Sequence, residues 1–325
     1  MPPRASVLLA LPALLLAGLA ALAWALASGE THADWSSVAD ALAGGTAFDA
    51  AVIRELRLPR AVAAYAGGGM LAVAGALMQV LLRNPLADPY VLGVSGGAAV
   101  GALGALSLGL SALSADACAF AGALAAMLLV FGLARGDGSW TQTRLLLTGV
   151  IVAAGCGAVV TLMLSMAHDA RVHSMLFWLM GDASAAGRPW PALVLLALAV
   201  LACLPLARDL NVLARGALGA RALGVAVERL RLVIYLLASL LTAVAVTMIG
   251  TVGFVGLIVP HLVRLAIGND QRVLLPASAL AGGALLVLAD TAARLVLSPL
   301  QLPVGVLTAL IGVPVFLFLL ARHYR

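Results

Sequence analysis

Apolar residues run along this chain in long unbroken stretches, near 6–27, 61–82, 91–113, 116–134, 145–167, 190–207, 232–249, 252–268, 274–296 and 303–321, with short polar breaks between them. Most are close to the ~20 residues an α-helix needs to cross a bilayer. A membrane β-barrel would alternate apolar and polar positions over segments of roughly ten residues, and the stretches show no such alternation. Lipid offers the backbone no hydrogen-bond partners, which leaves the helix as the form that satisfies them. The pattern predicts an all-α integral membrane protein, a bundle of about ten transmembrane helices occupying residues 1–325 as one domain. The narrowest gap lies at Gly250, and the longest segment outside the stretches runs from about 28 to 60. The first stretch follows Met-Pro-Pro-Arg and ends on Ala25-Leu26-Ala27. It is longer than the ~7–15 apolar residues of a secretory signal, so it reads as the first membrane helix.

Composition narrows the chemistry. The chain is 63% apolar and only 10% charged, with a mean hydropathy of +1.12, too little charge to cover a soluble domain of this length. All 19 basic residues are arginine, and lysine is absent. A phosphate-binding P-loop needs its lysine, so this chain carries no ATP site of that kind, and a lysine Schiff base is excluded as well. Cys118, Cys156 and Cys203 lie scattered in apolar stretches and read as small core residues. The net charge of +5 comes with no soluble basic segment, so it marks membrane topology and not nucleic-acid binding. With the N-terminus inside, thirteen arginines, Arg135 and Arg325 among them, fall on the cytoplasmic side. Only six, Arg54, Arg57, Arg60, Arg171, Arg188 and Arg294, fall outside. This positive-inside bias places both termini in the cytoplasm.

Glycine recurs every four residues at Gly93, Gly97 and Gly101, a spacing that lets helix backbones approach closely. Ionisable residues inside the stretches are few, chiefly Asp290 and His261. No Ser/His/Asp set or metal-ligand spacing forms among buried positions, so the chain is not read as an enzyme, and no metal or cofactor is expected on it. Such polar poverty points to a passage whose energy comes from another subunit. The segment 209–226 interleaves leucines with Arg215 and Arg221 and is broken by Gly216, Gly219 and Gly224. Read alone, it is either a short amphipathic element for a partner's groove or an ordinary loop bearing positive-inside arginines.

Four blocks, in order, carry a family resemblance. They are Arg57-Leu-Pro-Arg60, the run from Gln79 to Ala98 containing Arg83-Asn-Pro-Leu-Ala-Asp88, the run Gly253–Arg264 containing Val259-Pro-His-Leu-Val-Arg264, and Leu302-Pro-Val-Gly-Val-Leu-Thr308 onward. From about residue 50 to the C-terminus the chain resembles the permease subunits of type II ABC importers for iron-siderophore complexes, haem and vitamin B12. The resemblance implies ten helices per subunit and a homodimer lining one path in the bacterial inner membrane. It also implies two cytoplasmic ATPase subunits that hold the ATP and Mg, and a periplasmic substrate-binding protein. It assigns 209–226, with Leu213, Arg215, Gly216, Arg221, Leu223 and Gly224, to ATPase coupling. It assigns Arg57, Arg60 and Arg294 to docking of the binding protein, where guanidinium suits carboxylate. Gln142 and Thr143 match a cytoplasmic gate. Gln301 is a departure, because many members carry glutamate there.

The cargo expected from the resemblance is an iron chelate first, with haem or cobalamin close behind. His168, Arg171 and His173 fall near the outer end of the fifth stretch, where they would meet haem in transit or stand as ordinary surface-loop residues. The rival reading is an ion-coupled secondary transporter, which would rely on Asp290.

Overall fold

The computed structural model describes residues 4–29, 34–134, 141–184, 189–298 and 300–323, and Arg135, Arg188 and Arg325 of the charge asymmetry lie outside these. Among the described residues the chain is helical and contains no strand. The elements are α1 (Arg4–Ala27), α2 (Trp35–Leu42), α3 (Phe48–Val52), α4 (Leu58–Leu81), α5 (Val94–Ser107), α6 (Ala112–Ala134), α7 (Gln142–Met166), α8 (Asp169–Met180), α9 (Trp190–Cys203), α10 (Ala207–Arg215), α11 (Ala217–Ala222), α12 (Val227–Ile249), α13 (Val255–Ile267), α14 (Gln271–Leu295) and α15 (Val304–His323). By length and apolar composition six segments can cross a membrane, and α9 with α10 make a seventh that is bent by 68°. Three shorter apolar helices, Val94–Ser107, Val255–Ile267 and Val304–Leu319, complete the set predicted from the ten stretches.

The centre of the bundle is α4. From Ala61 to Leu81 nearly every residue is buried, and α14, α12, α13 and α9 pack around it. Its sequence is mostly alanine and glycine, which is what crowding on all sides requires, since membrane helices gain association from close van der Waals contact. A Cβ on Gly75 would collide with the carbonyl oxygen of Gly256 on α13, and one on Gly68 with that of Gly282 on α14. The glycine spacing on α5 serves the same end at Gly97 and Gly101, which meet the backbone of α6 at Gly122 and Cys118. Gly93 does not; it sits at φ 73° and starts the helix instead.

The structure corrects several boundaries. The stretch 91–113 is not one helix: a 3₁₀ turn at Pro89–Leu92 precedes α5, and α6 has begun by Ala112. At 14 residues α5 is about 21 Å long, and α13 is shorter. Neither reaches across the ~30 Å hydrocarbon core, so irregular backbone must lie at membrane depth, where it is tolerated only inside protein. The two irregular approaches satisfy each other. The Tyr90 hydroxyl donates to the Val252 carbonyl at 3.0 Å and accepts from the Val252 N–H at 2.9 Å. The segment 28–60, read as a connection, holds α2, α3 and a π-helical turn at Ile53–Arg57 that runs directly into α4. The connection after α7 contains α8, which is too short and too polar at its start to stand out in the pattern.

This packing carries a test. Gly75→Ala forces a methyl into the α4–α13 contact and costs about 1–3 kcal/mol of stability in detergent unfolding. Gly155→Ala, where nothing lies within 4 Å of the added carbon, changes stability by less than about 0.5 kcal/mol.

Candidate functional site

Polar side chains gather at the two ends of α4. At its N-terminal end the π-helical turn carries Arg57, which is buried and donates from Nη1 to the Leu26 carbonyl oxygen at 2.9 Å, at the close of α1. One turn later Arg60 faces α14 and forks onto Asp290. Its Nε lies 2.9 Å from Oδ2 and its Nη2 3.0 Å from Oδ1. The remaining Nη1 donates to Gln301 Oε1 at 2.9 Å. Arg294, one turn along α14, approaches the same Asp290 carboxylate at 3.4 Å. Asp182, just after α8, lies 3.7 Å from Arg60. Arg57, Arg60 and Arg294 are close enough for their charges to act on one another.

Asp290 thus serves both Arg60 and Arg294, Asp182 lies against Arg60, and Arg57 is under the influence of Asp49. Asp290 is almost fully enclosed, at 3% side-chain exposure, while Arg60 and Arg294 keep 12% and 13%. The Gln301 amide occupies Arg60 without adding a negative charge, where a glutamate would add one. Chemically this is a cation-rich recess suited to one more carboxylate, which guanidinium binds in bidentate form. The sequence reading picked out the arginines but not Asp182, and it left Asp290 without a partner. Both become visible only when α4, α8 and α14 are brought together.

At the opposite end, Gln142 opens α7 and donates from Nε2 to the Leu81 carbonyl at 2.8 Å, while its Oε1 accepts from Arg83 at 3.2 Å. Thr143 beside it is exposed. The motif aspartate Asp88 caps the following 3₁₀ turn, accepting from the Tyr90 N–H at 2.7 Å. Burial pushes its carboxyl up to about 6, and the N–H contact partly offsets this.

The segment 209–226 forms all but the first two residues of α10, all of α11 and the turn that follows, bent at Gly216 and again near Gly224, whereas Gly219 lies within α11. Leu210 and Leu213 are buried and anchor α10, so Leu213 is a holding residue here, while Leu218 and Leu223 stand 83% and 71% exposed. Arg215 is exposed, and Arg221 pairs with Glu228 of α12 at 2.7 Å. Asn211, absent from the sequence reading, bridges α10 to the start of α14. Its Nδ2 donates to Asp270 Oδ1 and its Oδ1 accepts from the Gln271 N–H, both at 2.9 Å.

His168 and His173 are exposed at the start of α8, and the His173 ring packs on Phe177 at 4.6 Å between centroids. Arg171 donates to the Ser107 carbonyl and so ties α8 to the end of α5. These three do not converge, and no cluster of three or more His, Cys, Asp or Glu residues suited to a metal occurs among the described residues.

The ion-pair cluster generates a prediction. Asp290→Ala leaves two enclosed guanidinium groups without their countercharge and destabilises the protein by about 3–5 kcal/mol. Adding Arg60→Ala costs less than the sum of the two single changes, with a coupling of about 1–3 kcal/mol measured by a double-mutant cycle in detergent.

Comparison with known proteins agrees with this architecture. Residues 14–322 match the FecCD transport family. The chain is 44% identical over 274 residues to the cobalamin import system permease protein BtuC of Halobacterium salinarum, covering 83% of this chain and 73% of that one. It is 38% identical over 315 residues to the vitamin B12 import system permease protein BtuC of Escherichia coli, covering 94% and 93%. Among solved structures, one described as a metal-chelate type ABC transporter in an inward-facing conformation superposes with a TM-score of 0.84 at 31% identity, covering 96% of this chain and 98% of that one. The chain belongs to the FecCD transport family and is a multi-pass membrane permease of the ABC-importer type.

Proposed function

We propose that this permease works as a homodimer in the bacterial inner membrane and imports cobalamin from the periplasm. It is driven by two cytoplasmic ATPase subunits and supplied by a periplasmic binding protein. The observation that carries this reading is the separation of two unlike sites by one helix. An arginine-rich cluster around Asp290 lies at one end of α4, and an amphipathic element with exposed leucines lies near the other. The first suits carboxylates on the binding protein and the second suits an apolar groove on the ATPase. Both termini are placed in the cytoplasm by the arginine bias, which puts Arg60 outside and α11 inside.

Cobalamin now stands ahead of the iron chelate as cargo, because the similar permeases from Halobacterium salinarum and Escherichia coli are both named for cobalamin or vitamin B12. An iron chelate or haem is the alternative outcome of the same uptake assay. Transport follows as alternating access. ATP closes the ATPase pair, which displaces α10 and α11, and the bundle passes between inward- and outward-open packings. Gln142 and Thr143 stand at the inner gate, and His168, Arg171 and His173 at the outer surface near the path. Ion-coupled transport is disfavoured by the surroundings of Asp290, whose oxygens are already engaged by Arg60 and approached by Arg294.

Docking is tested by measuring ATPase stimulation by the binding protein in the purified complex. Glutamate at Arg57, Arg60 and Arg294 together abolishes stimulation and leaves basal hydrolysis intact. Because that variant disturbs the ion-pair cluster, Gln301→Glu serves as the mild counterpart. It adds a carboxylate beside Arg60 without removing an arginine, and lowers binding-protein affinity by about fivefold with a shallower salt dependence. Unchanged stimulation in the triple variant and unchanged affinity in Gln301→Glu would contradict the docking assignment.

A further inference from the structure

Arg83 has no role in the account so far, yet its backbone is held in the left-handed region at φ 46°. A residue with a Cβ is uncommon there and costs about 1 kcal/mol or more. Such a conformation persists only where the surroundings hold it in place. The local chain supplies part of that hold: the Arg83 N–H donates to the Val80 carbonyl at 3.3 Å and the Asn84 N–H to that of Gln79 at 3.2 Å, closing the end of α4.

From this position the guanidinium reaches two other elements. Its Nε and Nη2 donate to Gln142 Oε1 at 3.4 and 3.2 Å, at the first residue of α7. Its Nη1 lies against Gly216, 3.7 Å from where a Cβ would stand on that residue. Gly216 is the joint between α10 and α11, at φ 138° and ψ 142°. The Gln142 amide continues the junction onto the Leu81 carbonyl at 2.8 Å. The end of α4, the start of α7 and the α10–α11 joint therefore meet at one planar side chain. Of the six long spans among the described residues α7 is the least enclosed, with 17% of it buried; at its inner end these polar contacts add to the packing of Leu145 and Gly149.

We propose that Arg83 is a positioning residue, a strut that carries displacement of the α10–α11 joint to the first turn of α7. The inference rests on the coupling and gate assignments made above and supplies the contact between them. A guanidinium suits the task because its nitrogens are fixed in one plane and press on two neighbours at once, whereas a lysine offers a single flexible point.

The test uses the permease assembled with its ATPase in lipid nanodiscs. Arg83→Gly removes the guanidinium while placing at φ 46° the residue that adopts it freely, so the thermal midpoint holds or rises. Spin labels at Thr143 and at Leu218, each paired with a reference at Leu113 on α6, follow α7 and α11 separately between the nucleotide-free and vanadate-trapped states. In the native chain both distances change. In Arg83→Gly the Leu218 distance still changes, the Thr143 change falls by more than half, and solute moved per ATP drops by about fivefold or more. A Thr143 change that persists in Arg83→Gly overturns the strut. So does a native chain in which Leu218 moves and Thr143 stays still, with the coupling assignment left standing. A native chain in which Leu218 does not move overturns the coupling assignment and the strut together.

Discussion

The close approach of backbones around α4 is the constraint on which the rest of the molecule depends. Gly68 and Gly75 let α14 and α13 come within backbone contact of α4, while Met70, Leu71, Leu77 and Met78 fill the space between its other neighbours. Once α4 is central, its two ends are fixed relative to four other helices. Arg60 meets Asp290 because α14 runs antiparallel against α4 at this short distance, and Leu81 presents its carbonyl to Gln142 at the other end. The polar sites are thus consequences of apolar packing. They are placed to within hydrogen-bond distance by contacts many residues away.

The same helix divides the labour of the two faces. The Arg60 end gathers three guanidinium groups and ties two of them to the enclosed Asp290. The opposite end is rich in hydrogen bonds between helix termini, through Gln142, Asn211 and Asp270. Enclosed ion pairs are costly unless well paired and are tolerated where geometry fixes them; networks of helix-end hydrogen bonds exchange partners more readily. A rigid recess on one face and a re-formable junction on the other is the division expected of a permease that receives a partner outside and responds to one inside.

Much of this was legible in the sequence, and the limits have physical causes. The ten apolar stretches each became a helical segment, because length and hydropathy are local properties and lipid leaves the backbone little choice. The break inside 91–113 was hidden because Gly93 reads equally as a packing glycine or as a left-handed turn, and only its φ of 73° decides. The amphipathic pattern of α8 was too brief to register between two longer signals. Arg57, Arg60 and Arg294 were named from a motif, but the motif carries no information on what neutralises them. Asp182 and Asp290 lie 108 residues apart in the chain and reach the same arginine only through folding. Leu213 was grouped with the coupling residues because the resemblance assigns the whole segment, and its burial sets it apart from the exposed Leu218 and Leu223.

The central claim is that a separate ATPase drives solute inward through this chain. It is tested most directly by uptake of radiolabelled cobalamin into proteoliposomes holding the permease and its ATPase, with the binding protein outside and ATP enclosed. The account predicts uptake that requires the binding protein, requires ATP and stops with vanadate. Uptake driven by a proton or sodium gradient without ATP, and lost in Asp290→Asn, would contradict it.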